Sequence, residues 1–193
     1  MNLLIVNKSY SISISDTASV KDLFDGSWIV ILHAYRIPPH VGIVINGNYN
    51  SLTIKGHELN VNLSALIKLI EQKKIEAVFI KLKKHPVFSS DFQKEIFQLQ
   101  IKQYTKVLPN EASCLNPVKL YLSEFYAVSL IEKELLFELV ERLKQNDYTE
   151  IALGLNVENK IELNQFYFPL YSYHDLQAII LNELNHISSI SVY

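Results

Sequence analysis

Residues 40–53 have the sequence HVGIVINGNYNSLT, and this stretch decides the fold. The Asn-Gly dipeptide in its middle is typical of a two-residue type I′ turn, whose central residues both need a positive φ. Counting outward from that turn places Gly42 opposite Ser51. Two residues further out, His40 falls opposite Thr53. The stretch therefore predicts a β-hairpin of defined register.

The two faces of this hairpin differ in polarity. One face is aliphatic and is expected to pack on the core; its residues are Val41, Ile43, Ile45, Leu52 and Ile54. The other face carries His40, Gly42, Ser51 and Thr53, and we expect it to face solvent because antiparallel sheets commonly leave one side to water. Gly42 lets another element approach this face closely. The hairpin thus predicts an imidazole with a hydroxyl across from it.

The rest of the chain alternates between strand and helix patterns. Apolar runs and period-two alternation predict strands at 2–6, 9–15, 28–32, 50–55, 75–82, 148–155 and 160–168. Helical spacing predicts helices at 64–73, 89–103, 117–129, 131–146 and 172–184. This order is typical of an α+β protein with a mainly antiparallel sheet and packed helices. We predict a single domain over residues 1–193, in which residues 148–193 could form a C-terminal annex.

The composition narrows the class of protein. Of the 193 residues, 49% are apolar and 20% are charged, and the net charge is −2, so we expect no nucleic-acid partner. The single cysteine excludes an internal disulfide and a cysteine-based zinc cluster. No apolar run approaches the ~20 residues of a membrane span, and no basic leader opens the chain. These features predict a cytoplasmic protein without a membrane span.

The single thiol, Cys114, lies just ahead of a helical pattern, in EASCLNPVK at residues 111–119. A thiol at a helix N-terminus is close to the positive end of the helix dipole, which favours the thiolate. His40 titrates near neutral pH and can take a proton from a thiol. Thr53 or Ser51 can hold the imidazole in one tautomer. The sequence therefore offers the three parts of a cysteine nucleophile site.

The start of the helix after Cys114 has two interpretations. Cys114 can lie at the helix N-terminus itself. Alternatively, Asn116 is the N-cap and Pro117 the first helical residue, a position that proline favours. In that case Cys114 lies just outside the helix and gains less from the dipole.

The order of these parts, with the histidine strand first and the cysteine last, resembles the circularly permuted branch of the NlpC/P60 superfamily of papain-like thiol enzymes. That branch includes lecithin:retinol acyltransferase-like proteins. The similar segments are residues 27–55, with the strand WIVIL before the histidine strand, and residues 111–129. The resemblance implies the same fold, with His40 as the base, Thr53 or Ser51 as the orienting residue and Cys114 as the nucleophile.

The resemblance also implies an activity. Members of this superfamily hydrolyse or transfer acyl groups held in amide or ester bonds. It therefore implies a thiol-dependent acyl hydrolase or acyltransferase acting on a small-molecule, lipid or peptide acyl substrate, without a cofactor.

Other interpretations stay open. The protein could be a non-catalytic binding or assembly module, or a thiol-enzyme fold that has lost its activity, and could use the aromatic segment FYFPLYSY at residues 166–173 or an exposed strand edge. Aromatic residues are common at interfaces, but packing in the core is the favoured explanation for this segment. His33, His57 and His85 could join His40 in a metal site, but their spacing matches no familiar pattern, so we expect no metal. The sequence leaves the oligomeric state open.

Overall fold

The computed structural model describes residues 10–190, with side chains described for residues 10–186. The strand predicted at residues 2–6 lies outside this part of the chain. The strands are β1 (Ser11–Ser13), β2 (Asp16–Thr17), β3 (Ser27–Leu32), β4 (His40–Ile45), β5 (Asn48–Thr53), β6 (Gly56–Asn62), β7 (Ala77–Leu82), β8 (Thr149–Leu155), β9 (Ile161–Glu162) and β10 (Gln165–Tyr167). The helices are α1 (Val20–Leu23), α2 (Leu63–Lys73), α3 (Ser90–Lys102), α4 (Leu115–Tyr126), α5 (Leu136–Gln145) and α6 (Tyr173–Ile190).

Seven of these strands form the central sheet, in the order β2-β8-β7-β3-β4-β5-β6. Every neighbouring pair is antiparallel except β2 with β8, which is parallel. A second sheet of three short strands has the order β1-β10-β9. The predicted α+β class with a mainly antiparallel sheet is therefore confirmed. β8, which opens the predicted annex, pairs with β7 inside the central sheet.

The hairpin has the predicted register over residues 42–51, but the predicted pairing of His40 with Thr53 is not formed: His40 pairs with Leu32 of β3, and Thr53 with Gly56 of β6. Gly42 pairs with Ser51, and the turn residues Asn46 and Gly47 have φ values of 45° and 72°. Both are in the left-handed region that a type I′ turn requires. The ladder between β4 and β5 ends at the Gly42–Ser51 pair. Beyond that pair, the carbonyl of Thr53 accepts a hydrogen bond from the N–H of Val107 in the α3–α4 connection, at 2.9 Å.

Helices cover both faces of the central sheet. The aliphatic face packs in one cluster with residues of α3, α4 and α5. The opposite face packs against α1 and α2. Our expectation that this second face is solvated is wrong: it also carries Val44 and Tyr49, which are buried together with Leu66 and Ile67 of α2. Ser51 lies on the same face and is only 1% exposed.

Three elements differ from their predictions. β6 was not predicted, because its sequence GHELNVN has few apolar residues and lies at the sheet edge, where most of its side chains are exposed. The strand predicted at 160–168 is divided into β9 and β10 by a turn whose residues Leu163 and Asn164 both have positive φ. The helix predicted at 131–146 begins only at Leu136, where the Glu138 carboxylate accepts the N–H of Leu135 at 2.9 Å.

Candidate functional site

Cys114 is the N-cap residue of α4, so the first of the two predicted helix starts is the one observed. Asn116 lies inside the helix, and its side-chain oxygen accepts from the N–H and the hydroxyl of Ser113 at 3.0 and 2.7 Å. These bonds fix the turn just before the helix. Pro117 occupies the first turn, where its missing N–H has no intrahelical acceptor to lose. The local sequence therefore sets the thiol at the helix N-terminus.

The sulfur of Cys114 is close to the start of β4. The backbone N–H of Val41, the residue after His40, donates towards it, as do the N–H groups of Cys114 and Leu115. These three donors favour the thiolate, but burial of the thiol outweighs them, and the Glu183 carboxylate acts in the same direction as burial. The pKa of Cys114 is therefore raised to about 11. At neutral pH the residue is a protonated thiol, not the thiolate expected from the helix dipole alone.

The imidazole of His40 is held by a chain of two hydrogen bonds. His40 Nε2 lies 3.2 Å from Ser51 Oγ, and Ser51 Oγ donates to Glu58 Oε2 at 3.0 Å. Because the only hydroxyl proton of Ser51 points to Glu58, its oxygen must accept from the imidazole. His40 then carries its proton on Nε2. The free lone pair is on Nδ1, the nitrogen that can accept a proton.

Burial also shifts the titration of His40. It lowers the pKa of the imidazole to about 4, with a smaller contribution from the charge of His33. The residue is therefore neutral at pH 7 and able to act as a base. Together with the raised pKa of Cys114, this leaves both the thiol and the imidazole uncharged at neutral pH.

Of the two hydroxyl residues predicted to orient His40, only one is hydrogen-bonded to the imidazole. Ser51 contacts the imidazole. Thr53 instead closes the β5–β6 turn, where its hydroxyl donates to the carbonyl of Gly56 at 3.0 Å and accepts from the N–H of Lys55 at 3.1 Å. Glu58 was missed by the sequence reasoning, although it pairs directly with Ser51 across β5 and β6. Extending the hairpin register past the Thr53–Gly56 turn would have found it.

His40 and Cys114 open onto one cavity of about 480 Å³, within the usual size of small-molecule sites, about 300–1,000 Å³. The start of β4, the end of β5 and one side of α6 all contribute residues to its lining. Its walls are mostly apolar and come from several elements; they include Val61, Leu66, Leu69, Ile75, Leu136, Tyr171, Leu176 and Ile180. Charged groups also line it, among them an ion pair that joins Arg36 in the β3–β4 connection to Glu183 of α6.

The other predicted candidates lie elsewhere or form no common site. The aromatic segment at residues 166–173 alternates: Phe166 and Phe168 are buried, whereas Tyr167 and Leu170 are exposed. Phe166 and Phe168 therefore belong to the core, whereas Tyr171 and Tyr173 of the same segment line the cavity that contains His40 and Cys114. Among the side chains that the structure describes, no three His, Cys, Asp or Glu residues are grouped so as to hold a metal ion. Within residues 10–190, no helix has the length and apolarity needed to cross a membrane.

Comparison with known proteins adds no family to this description. No protein-family model, curated protein or solved structure matches the chain. Cys114, His40 and Glu58 line one cavity, and Ser51 connects the His40 imidazole to the Glu58 carboxylate.

Proposed function

We propose that the protein is a thiol-dependent acyl hydrolase or acyltransferase, with Cys114 as the nucleophile and His40 as the general base. One observation carries the proposal: a thiol at a helix N-terminus and a neutral, oriented imidazole open onto the same apolar cavity. A nucleophile, a base within the same site and a third group that orients the base are the usual parts of such an enzyme.

The proposed reaction begins when an acyl carbonyl binds beside Cys114. His40 Nδ1 takes the thiol proton as the sulfur adds to the carbonyl carbon, and the C=O electron pair moves to the oxygen. When the tetrahedral intermediate collapses, the bond to the leaving alcohol or amine breaks, and the imidazolium returns the proton to the leaving group. Water or a second acceptor then releases the acyl group from the sulfur by the same steps in reverse order.

The neutral pair determines when the proton moves. The pKa values of about 11 for Cys114 and about 4 for His40 oppose proton transfer before the substrate binds. Transfer is therefore coupled to attack on the carbonyl, where the negative charge passes to the oxygen and does not stay on the sulfur. The apolar walls of the cavity suit the acyl part of a substrate better than a highly charged one.

The experiment that tests this proposal is acylation of the purified protein by p-nitrophenyl esters of acetate, butyrate, octanoate and dodecanoate. We expect a burst of p-nitrophenol, and an acyl adduct on Cys114 in the intact mass. Cys114→Ala should abolish both. His40→Gln should retain the thiol but slow acylation by about 10²- to 10⁴-fold, the usual contribution of a general base.

Two results would contradict the proposal. One is the absence of an adduct at every chain length. The other is acylation at the same rate in the wild-type protein and His40→Gln, which would identify an ordinary reactive thiol. Saturable binding of the esters without turnover would instead support the alternative of a non-catalytic binding module that uses the same cavity.

A further inference from the structure

The hydroxyl of Tyr49 is a buried polar group without a hydrogen-bond partner in the part of the chain that the structure describes. Tyr49 is 1% exposed, and its side chain lines the cavity that contains His40 and Cys114. Buried polar side chains nearly always have a partner, so an unpaired one needs an explanation. A group that becomes paired only when a ligand is bound is one such explanation.

The backbone directs this side chain along the hairpin, towards the end that carries His40. Tyr49 of β5 pairs with Val44 of β4, and its ring leans over Gly42, the next residue along β4 on the same face. A Cβ atom at Gly42 would lie 2.6 Å from Cε2 of the Tyr49 ring, so the ring can take this position only over a glycine. The ring therefore extends from the turn end of the hairpin towards the end that carries His40.

None of the described neighbours of Tyr49 forms a hydrogen bond with its hydroxyl. Ser51 acts on the phenol in the direction that lowers its pKa, but its one hydroxyl proton goes to Glu58, and the Tyr49 hydroxyl has no hydrogen-bond partner among the described residues. Charge on Cys114 and on Glu58 would oppose ionisation of the phenol, as does burial, which is the largest cause of its raised pKa. Tyr49 therefore keeps its proton at any working pH and remains a donor.

We propose that Tyr49 Oη–H donates a hydrogen bond to the oxyanion that forms when Cys114 adds to an acyl carbonyl. This inference deepens the proposed function and rests on it. The sulfur–carbon bond forms, the C=O electron pair moves to the oxygen, and the thiol proton goes to His40, while Tyr49 keeps its own proton. A hydrogen bond to an oxyanion is stronger than one to a neutral carbonyl oxygen, so this interaction stabilises the transition state more than the bound substrate.

Tyr49→Phe tests the inference, because it removes only the hydroxyl. With p-nitrophenyl octanoate we expect kcat to fall by about 10²- to 10³-fold with little change in KM, the usual effect of losing one oxyanion donor. Octanal, which adds to a thiol to form a hemithioacetal with an oxygen in the same position, should bind Tyr49→Phe at least tenfold more weakly. Alkylation of Cys114 by iodoacetamide develops no oxyanion, so its rate should stay within about twofold of that of the wild-type protein.

Tyr126→Phe is the matched control. The Tyr126 hydroxyl donates to the carbonyl of Lys83 at 2.8 Å and does not line the cavity. Its removal should lower the urea midpoint of unfolding and leave kcat unchanged. Tyr49→Phe should leave the urea midpoint unchanged or raise it, because the hydroxyl that it removes makes no hydrogen bond in the free protein.

The other outcomes decide against the inference. If kcat and octanal affinity survive in Tyr49→Phe, or if alkylation slows as much as ester turnover, Tyr49 does not stabilise an oxyanion. If the wild-type protein behaves like Cys114→Ala towards both the ester and octanal, the proposed function itself fails and the role of Tyr49 fails with it. The Cys114→Ala comparison therefore separates the two failures.

Discussion

Ser51 and Glu58 face each other across β5 and β6, and the hydroxyl of the first donates to the carboxylate of the second at 3.0 Å. This bond uses the only proton of Ser51, so the hydroxyl oxygen is left as an acceptor for His40. A residue on an edge strand thus determines the tautomer of an imidazole two strands away. Second-layer partners of this kind orient a reactive ring that would otherwise rotate.

The first prediction concerns this chain of hydrogen bonds. Ser51→Ala should lower the acylation rate by about 10- to 100-fold, the usual effect of removing a partner behind a reactive imidazole. Glu58→Gln should cost less, because the amide oxygen can still accept from Ser51. The ¹⁵N chemical shifts of His40 provide a readout that general destabilisation would not move: we expect an Nε2–H tautomer in the wild-type protein and a mixture in Ser51→Ala.

Thr53→Val is the contrasting variant for that prediction. It breaks two hydrogen bonds in the β5–β6 turn and should lower the free energy of unfolding by about 1–3 kcal/mol, the sum of two ordinary bonds. Its acylation rate per folded molecule should fall far less than that of Ser51→Ala. An equal loss of activity in the two variants would contradict the assignment of the orienting role to Ser51.

The second prediction concerns the reactivity of the thiol. Because the pKa of Cys114 is raised to about 11, the pH range from 7 to 10 lies below it, and each increase of one pH unit in that range raises the thiolate fraction about tenfold. The rate of alkylation by iodoacetamide should follow it from pH 7 to pH 10 without a plateau near neutrality. His40→Gln should change this rate little, since the imidazole with a pKa of about 4 is not a cationic partner at these pH values. A plateau below pH 7 that His40→Gln removes would instead indicate a thiolate–imidazolium pair.

Much of the fold could be predicted because local rules determine it. The Asn46-Gly47 turn fixed the hairpin register, and helical spacing located α2 and α3 to within a few residues. The polar residues of the second hairpin face predicted a solvated surface, although Val44 and Tyr49 lie on that face and are buried against α2. Coverage by α2 is a tertiary contact that period-two alternation does not encode.

The candidate site could be predicted in its parts but not in its electrostatics. The sequence indicated Cys114 and His40, and the hairpin register offered Ser51 and Thr53 as alternatives. Choosing between the two hydroxyls required β6, which brings Glu58 opposite Ser51 and draws Thr53 into a turn. The pKa values required burial: the helix dipole favours a thiolate at Cys114, but removal of the sulfur from water has the larger effect.

The third prediction concerns Gly42. A Cβ atom there would lie 2.7 Å from the carbonyl oxygen of Asn50 and 2.8 Å from Ser51 Cβ, besides its contact with the Tyr49 ring. Two of these neighbours are tied to the backbone of β5 and cannot move alone. Gly42→Ala should therefore lower the free energy of unfolding by about 1–3 kcal/mol, the usual cost of overpacking, as measured by urea denaturation.

The folded fraction of Gly42→Ala should also lose acylation activity, because the added methyl group displaces both Tyr49 and Ser51. Unchanged stability together with unchanged activity would show that this part of the hairpin is not closely packed.

The last prediction links His40 to the pH dependence of stability. The folded protein holds the pKa of His40 at about 4, below the 6.5 of the unfolded chain. Between these values the unfolded state binds a proton that the folded state does not, so the stability present above pH 6.5 is lost as the pH falls towards 4. At pH 5 this loss amounts to about 2 kcal/mol relative to pH 7.5, at 1.36 kcal/mol for each pKa unit.

Urea unfolding of the wild-type protein and of His40→Gln at pH 5.0 and 7.5 measures this loss of stability. The wild-type protein should lose about 2 kcal/mol more than the variant, which has no titrating group at this position. His33, whose pKa is also lowered, is present in both proteins and cancels in the difference. Equal losses in the two proteins would show that the imidazole is as solvated in the folded state as in the unfolded chain, and would remove the neutral base from the proposed mechanism.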